Sequence, residues 1–290
     1  MASAREIRRR IRSIRNTAQI TKALEMVSAA KMRRATAATM ASRPYAEQLA
    51  ALIETLGATA TSADAPHPLL QRRPVKKAAL VLITPDRGLC GALIGNIIRA
   101  GGQYISEHQD ASIVAVGRRG RDWMLRRGRN VIAEFTPVPD RPTIMDVAPM
   151  ARIITDDFIE GSVDEVTLVY TKYYSATNQR AVRIQLLPVQ PPVASEATLA
   201  RYANFTFEPS PEEVLSSILP RYIEVQLYQA LLESRASEES ARMIAMHNAT
   251  ENARDIVNAL TLSYNKARQA GITSEILEIS SGAEALRSAT

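Results

Sequence analysis

Arg5–Arg34 reads REIRRRIRSIRNTAQITKALEMVSAAKMRR. Within it Ile7, Ile11, Ile14 and Ala18 recur with 4-3-4 spacing, the stripe of a coiled-coil seam. Leu24, Val27 and Met32 roughly continue the stripe, and Leu49, Leu52 and Leu56 resume it beyond Pro44. From about residue 3 to 57 the only glycine is Gly57 and the only proline is Pro44. Ala, Arg, Met, Lys, Gln and Leu dominate, all good helix formers. The spacing therefore predicts one helical block, kinked at Pro44. At the standard rise it is roughly 80 Å long, more than a single globular domain comfortably contains.

A second long helix is predicted at the other end. Ser210 is its N-cap, Pro211 its first residue, and Glu213 completes a capping box. Leu215, Tyr222, Gln229, Ala236, Met243, Thr250, Val257 and Tyr264 form one heptad set. Ile218, Val225, Leu232, Glu239, Met246, Ala253, Leu260 and Ala267 form the other. Pro220 should bend the first turns, and the helix can run to about residue 286. Residues 1–35 hold ten Lys/Arg and two Asp/Glu, whereas residues 191–290 hold eight basic and thirteen acidic residues. The ends are thus complementary in charge as well as in seam, and antiparallel pairing follows. The C-terminal helix is longer by about 20 residues, so its last turns should project beyond the pair.

Between the helices the pattern changes. Apolar runs at Ala78–Thr84, Ser112–Gly117, Asn130–Phe135 and Glu165–Tyr173 read as buried strands. Helix-length segments at about 89–107, 118–127 and 143–160 separate them. Arg180–Val189 reads as a last strand, antiparallel at the sheet edge. The fold class is α/β: a long antiparallel coiled coil of the terminal helices plus a central Rossmann-like domain with a mainly parallel sheet. The expected division is 1–57 and 210–290 for the coiled coil, 75–190 for the α/β domain, and linkers at 58–74 and 191–209.

Composition excludes several classes. With 46% hydrophobic and 23% charged residues the chain is not globally disordered. No apolar run approaches the roughly 18 residues that span a bilayer, and no apolar signal core opens the chain. Cys90 is the only cysteine, so no intrachain disulfide or Cys-rich zinc site is possible. Cys90 as a nucleophile would need His67, His108 or His247; His67 lies in a Pro-rich linker and His247 on the long C-terminal helix, so a small buried residue is the plainer reading. Gly88, Gly91 and Gly95 sit where a phosphate loop would lie, but G-x-x-G-x-x-x-G matches neither a dinucleotide nor a Walker pattern. Arg5, Arg8, Arg9, Arg10, Arg12 and Arg15 suit nucleic-acid phosphates, but Ile7, Ile11 and Ile14 claim another face for packing, and a solvated face or an acidic protein surface is the plainer reading. A nucleotide-binding α/β protein and a nucleic-acid binder both remain open on residues alone.

Four motifs together carry a resemblance. Arg5–Arg34 resembles the N-terminal signature of the gamma subunit of F-type ATP synthase. Asp86–Gly91 (DRGLCG) resembles that family's central motif. Glu233–Met246 (ESRASEESARMIAM) and Tyr264–Gly282 (YNKARQAGITSEILEISSG) are similar to its C-terminal signature. The order is right and nearly the whole chain is covered. The resemblance implies a bacterial rotor shaft that couples c-ring rotation, driven by protons, to the beta subunits. It implies a single copy, with no catalytic residue, cofactor or metal of its own and no nucleic-acid partner. Its implied partners are the alpha and beta subunits, the epsilon subunit and the c-ring. By position, Lys22, Leu24, Glu25, Arg242, Arg268, Gln269 and Thr273 fall at the beta interface. Ile276, Leu277, Ile279 and Leu286 fall at the upper bearing, and Tyr202, Phe205, Phe207 and Glu208 on the c-ring and epsilon side. Pro220 is unusual in the family's helix. The start at Met1 leaves no room for a transit peptide, which implies a bacterial plasma membrane, with the chain peripheral on the cytoplasmic side.

Overall fold

Runs of Val, Ile and Leu bounded by turn residues become the strands. The computed structural model describes residues 4–60, 67–190 and 208–288. β1 is Ala78–Ile83, β2 Ser112–Val116, β3 Val131–Phe135, β4 Glu165–Tyr173 and β5 Gln179–Leu187. Between them lie α2 (Leu93–Glu107), α3 (Arg118–Leu125) and α4 (Ile144–Ile159). The long helices are α1 (Ala4–Ala60) and α5 (Pro211–Ser288), and neither Pro44 nor Pro220 ends its helix. α2 starts at Leu93 rather than 89, because Leu89 (φ 65°) and Gly91 (φ 58°) hold left-handed conformations that keep the DRGLCG turn out of the helix. Ser210 Oγ accepts from Glu213 N at 3.2 Å, as an N-cap should. Of the expected linkers, 61–66 and 191–207 lie outside the described residues, while Pro68–Leu70 forms a 3₁₀ turn with Leu69 fully buried.

Contacts divide the chain into two compact units, residues 28–242 and residues 1–27 with 243–290. The larger unit holds the sheet, in order β3-β2-β1-β4-β5. β1 pairs parallel with β2 and β4, β2 parallel with β3, and β4 antiparallel with β5. Each side of β1 packs a different layer. Leu80 and Leu82 meet Ile97 and Tyr104 of α2 and Met124 of α3. Val81 and Ile83 belong to the opposite layer, with Met150, Ile154 and Phe158 of α4. That layer also takes in Ile53 and Leu56 of α1 and Leu215, Leu219, Ile223 and Leu227 of α5. Each such fully buried aliphatic side chain contributes about 1.5–3 kcal/mol. The helix ends nearest the sheet are therefore part of its hydrophobic core.

Candidate functional site

α1 carries an unbroken heptad. Its seam positions are Ala4, Ile7, Ile11, Ile14, Ala18, Thr21, Glu25, Ser28, Met32, Ala35, Thr39, Ser42, Ala46, Leu49, Ile53 and Leu56, each buried or half-buried. The central turns of this seam are small or polar. The expected continuation through Leu24 and Val27 is corrected here: Val27 is 53% exposed and the seam passes through Thr21, Glu25 and Ser28 instead. Small hydroxyl side chains let two helices approach and then bond across the seam, which a reading by hydrophobicity passes over.

In the smaller unit, α1 pairs with α5 antiparallel. Thr21 Oγ1 lies 2.8 Å from Thr250 Oγ1, and Glu25 Oε1 lies 3.3 Å from His247 Nδ1. On α5 the matching seam is Met246, Thr250, Ala253, Val257, Leu260, Tyr264 and Ala267, with 4-3 spacing. The Thr21–Thr250 register puts Ala267 opposite Ala4, the first described residue of α1. Beyond Ala267 every residue to Ala283 is exposed. Arg268, Gln269 and Thr273 lie in this stretch, as do Ile276 (61% exposed), Leu277 (60%) and Ile279 (73%). Leu286 falls in the last turns of α5, where side chains are not described. Lys22 and Leu24 are half-buried on α1, and Lys22 Nζ pairs with Glu25 Oε1 at 2.9 Å. That bond, opposed by burial, holds the Glu25 carboxyl below its ordinary range. Residue reading missed Ile20 (61% exposed) as a partner of Leu24 and Val27. The signal was present, since the three form an apolar 4-3 stripe one residue behind the seam.

In the larger unit, α5 lies across the C-terminal ends of the strands. Ser42 Oγ donates to Gln229 Oε1 at 2.6 Å, in the same register as the smaller unit. From Leu231 to Ser240 every α5 residue except half-buried Ser234 is buried. Ser237 Oγ donates to Thr171 O at the end of β4 (3.2 Å), and Arg242 Nε to Gly88 O after β1 (3.4 Å). Between β1 and β4 the winding reverses. That crevice is where a doubly wound sheet places its ligand, and here α5 covers it. Asp86 ties the surrounding loops, accepting from Arg118 N at 3.0 Å and Val138 N at 2.8 Å. Cys90 is 1% exposed, and burial raises its thiol pKa. His67 Nδ1 accepts from Leu69 N at 3.2 Å, and His108 stacks on Tyr104 with centroids 4.6 Å apart. Among the described residues no group of three or more His, Cys, Asp or Glu could hold a metal.

A chain of charges, exposed at Asp140 and buried from Arg235 to Arg242, fixes α5 there. Asp140, in the loop after β3, takes Lys31 Nζ at 2.6 Å and Arg235 Nη2 at 2.5 Å. Arg235 continues to Glu238 at 2.7 Å, Glu238 to Arg242, and Arg242 to Glu239 at 2.7 Å. The Lys31 bond, above all, holds the Asp140 carboxyl below its usual range. Arg242, expected at an interface, is 9% exposed and directs its guanidinium to its own chain. Glu208 is exposed, while Tyr202, Phe205 and Phe207 lie outside the described residues.

This arrangement defines an α/β protein whose own terminal helices pair as an antiparallel coiled coil and close the ligand edge of its sheet. A profile of the family described as ATP synthase matches residues 3–286. ATP synthase gamma chains of Dehalococcoides mccartyi (strain CBDB1) and Chloroflexus aurantiacus (strain ATCC 29366 / DSM 635 / J-10-fl) are each 48% identical over 99% of this chain and 100% of theirs. That of Roseiflexus castenholzii is 47% identical over 99% of both chains. The chain belongs to the ATP synthase gamma chain family. Its fold is shared with a chain of the Euglena gracilis mitochondrial ATP synthase (TM-score 0.65, 20% identity, 98% of this chain and 94% of that one). A chain of the Tetrahymena thermophila mitochondrial central stalk/c-ring assembly gives a TM-score of 0.61 at 24% identity, over 79% of this chain and 99% of that one. Neither the nucleotide-binding nor the nucleic-acid reading is supported as the chain's function.

Proposed function

We propose that the chain is the central rotor shaft of a proton-translocating ATP synthase, present in one copy and itself non-catalytic. The observation that carries this is the exposed end of α5. There Ile272, Ile276 and Ile279 repeat with 4-3 spacing on exposed turns beyond Ala267, which lies opposite Ala4, the first described residue of α1. An apolar stripe of that kind marks a surface that another chain covers. In this reading a ring of alpha and beta subunits covers it. Ile276, Leu277, Ile279 and Leu286 form the upper bearing, and Arg268, Gln269 and Thr273 touch beta from the same helix. Lys22, Leu24 and Glu25 meet beta from α1, joined by Ile20 and Val27. Arg242 supports the shaft from inside. Tyr202, Phe205, Phe207 and Glu208 face the epsilon subunit and the c-ring.

The mechanism is differential contact. The helix pair presents different side chains on different faces, so three equivalent beta subunits cannot meet it alike. To swing one beta site from 1:99 to 99:1, the contacts must differ by roughly 5.5 kcal/mol between its states. By reciprocity, nucleotide binding at beta biases shaft angle equally. In this reading the chain lies at a bacterial plasma membrane, peripheral and on the cytoplasmic side. Among the described residues no helix is long and apolar enough to cross a membrane.

Co-expression with the alpha and beta subunits of its own enzyme tests this. One copy should co-purify with the ring, and the reconstituted complex should pump protons on ATP hydrolysis. A chain that elutes alone from that mixture sinks the reading.

A further inference from the structure

Within residues 28–242, a groove of about 870 Å³ opens between α1, the loop after β3 and α5. Its rim is cationic, with Lys31 and Arg34 on α1, Arg141 in the loop and Arg235 on α5. The single carboxylate among them, Asp140, is shared by Lys31 and Arg235. Arg34 and Arg141 have no hydrogen bond or ion pair among the described residues. Arg87 adds positive field at Asp140. Four lining cations against Asp140 and the Glu238 carboxylate bonded to Arg235 leave two positive charges. Leu232, Ala35 and Pro142 make the floor apolar, and lower local polarity strengthens any ion pair formed there. A monovalent carboxylate answers one of those charges. A multivalent phosphate answers both, and each guanidinium fork can hold two of its oxygens.

We propose that this groove binds a multivalent phosphate, a site distinct from the covered strand ends and additional to the shaft role. Free oligophosphate and a phosphomonoester lipid headgroup share that chemistry. In either case the phosphate competes with Asp140 for Lys31 and Arg235.

The full-length chain is titrated calorimetrically with sodium tripolyphosphate, and separately floated with phosphatidic acid vesicles. Saturable one-to-one binding is expected that weakens with salt. Arg34→Gln with Arg141→Gln should weaken it roughly tenfold or more, since each removes charge-assisted hydrogen bonds. Both side chains are exposed, so the melting temperature should hold. Arg8→Gln with Arg9→Gln removes equal charge from the N-terminal helix and should change binding less than about twofold. Tripolyphosphate binding with this pattern assigns a free phosphate; vesicle binding alone with the same pattern assigns a headgroup. Binding of neither, equal losses in both double variants, or preference for an oligoglutamate peptide overturns the proposal.

Discussion

Thr21 and Thr250 meet hydroxyl to hydroxyl at 2.8 Å, within the polar stretch of the helix pair. Each hydroxyl also has a carbonyl acceptor on its own helix, Met246 O at 2.8 Å for Thr250 and Ala18 O at 3.1 Å for Thr21, so either can donate across the seam. A buried polar seam of this kind sets register more than it adds stability. Thr250→Val leaves Thr21 the Ala18 carbonyl, 3.1 Å away, as its acceptor. The single loss should therefore be about 1 kcal/mol, and the Thr21→Val, Thr250→Val pair should lose less than the two singles together. Urea unfolding of the four proteins of that cycle measures the coupling. Strictly additive losses would mean that the hydroxyls do not bond.

Asp164 predicts a pH dependence. Its Oδ2 accepts the amides of Lys76 and Lys77, each at 2.9 Å, just before β1. Those bonds, Lys77 first, hold its pKa below the ordinary 3.8. A depressed carboxyl stabilises the fold above its unfolded pKa, and the contribution is lost as pH falls through the folded value. Asp140, bonded to Lys31, and Glu25, bonded to Lys22, carry the same sign. Stability should thus be flat near neutrality and fall below the ordinary values of 3.8 for Asp and 4.5 for Glu. Asp164→Asn should melt lower at neutral pH and lose less on acidification than the parent. Parallel acid limbs for the two proteins would rule Asp164 out as a contributor.

Much of this was legible from residues. The strands are β-branched runs with turn residues between them. α4 announces itself by Thr143 and Asp146, whose carboxylate accepts Thr143 N at 2.7 Å. The seam of α1 was legible where it is Ile and Leu, and illegible where it is Ala, Thr and Ser, because those residues carry no hydrophobic signal. The site was harder still. Arg242 sits in a motif that looks like an exposed charge cluster, and only the fold shows Glu238 and Glu239 closing around it. Nothing local in the sequence says that Ser237, 66 residues beyond Thr171, returns to bond its carbonyl.

The buried charges predict an asymmetric cost. Glu238 is 4% exposed and bonds both Arg235 and Arg242. Glu238→Gln leaves Arg235 only the Asp140 carboxylate and Arg242 only that of Glu239, removing the one buried carboxylate they share, and should cost up to roughly 3–5 kcal/mol. Glu6→Gln, which removes an ion pair to Arg10 whose side chains are 39% and 63% exposed, should change stability by about 0.5 kcal/mol or less. Chemical denaturation of both variants checks the ratio. Similar losses would mean that the Arg235–Glu238–Arg242 chain is solvated in solution.

The far end of α5 separates folding from assembly. Ile276 and Ile279 are 61% and 73% exposed, so Ile276→Ser and Ile279→Ser remove no packing from the isolated chain. Its unfolding should shift by about 0.5 kcal/mol at most. In a complex where both side chains are covered, each contributes about 1.5–3 kcal/mol. The double variant should then dissociate faster from alpha and beta subunits while its own melting curve stays in place. Leu219→Ala provides the opposite case. Leu219 is fully buried against the sheet, so that variant should lose about 2–5 kcal/mol of fold stability. Its tip surface, and hence its association per folded molecule, should be unchanged. Equal dissociation rates for the parent and the Ile276→Ser, Ile279→Ser variant would remove the tip from the interface and return the contact to the α1 stripe of Ile20, Leu24 and Val27.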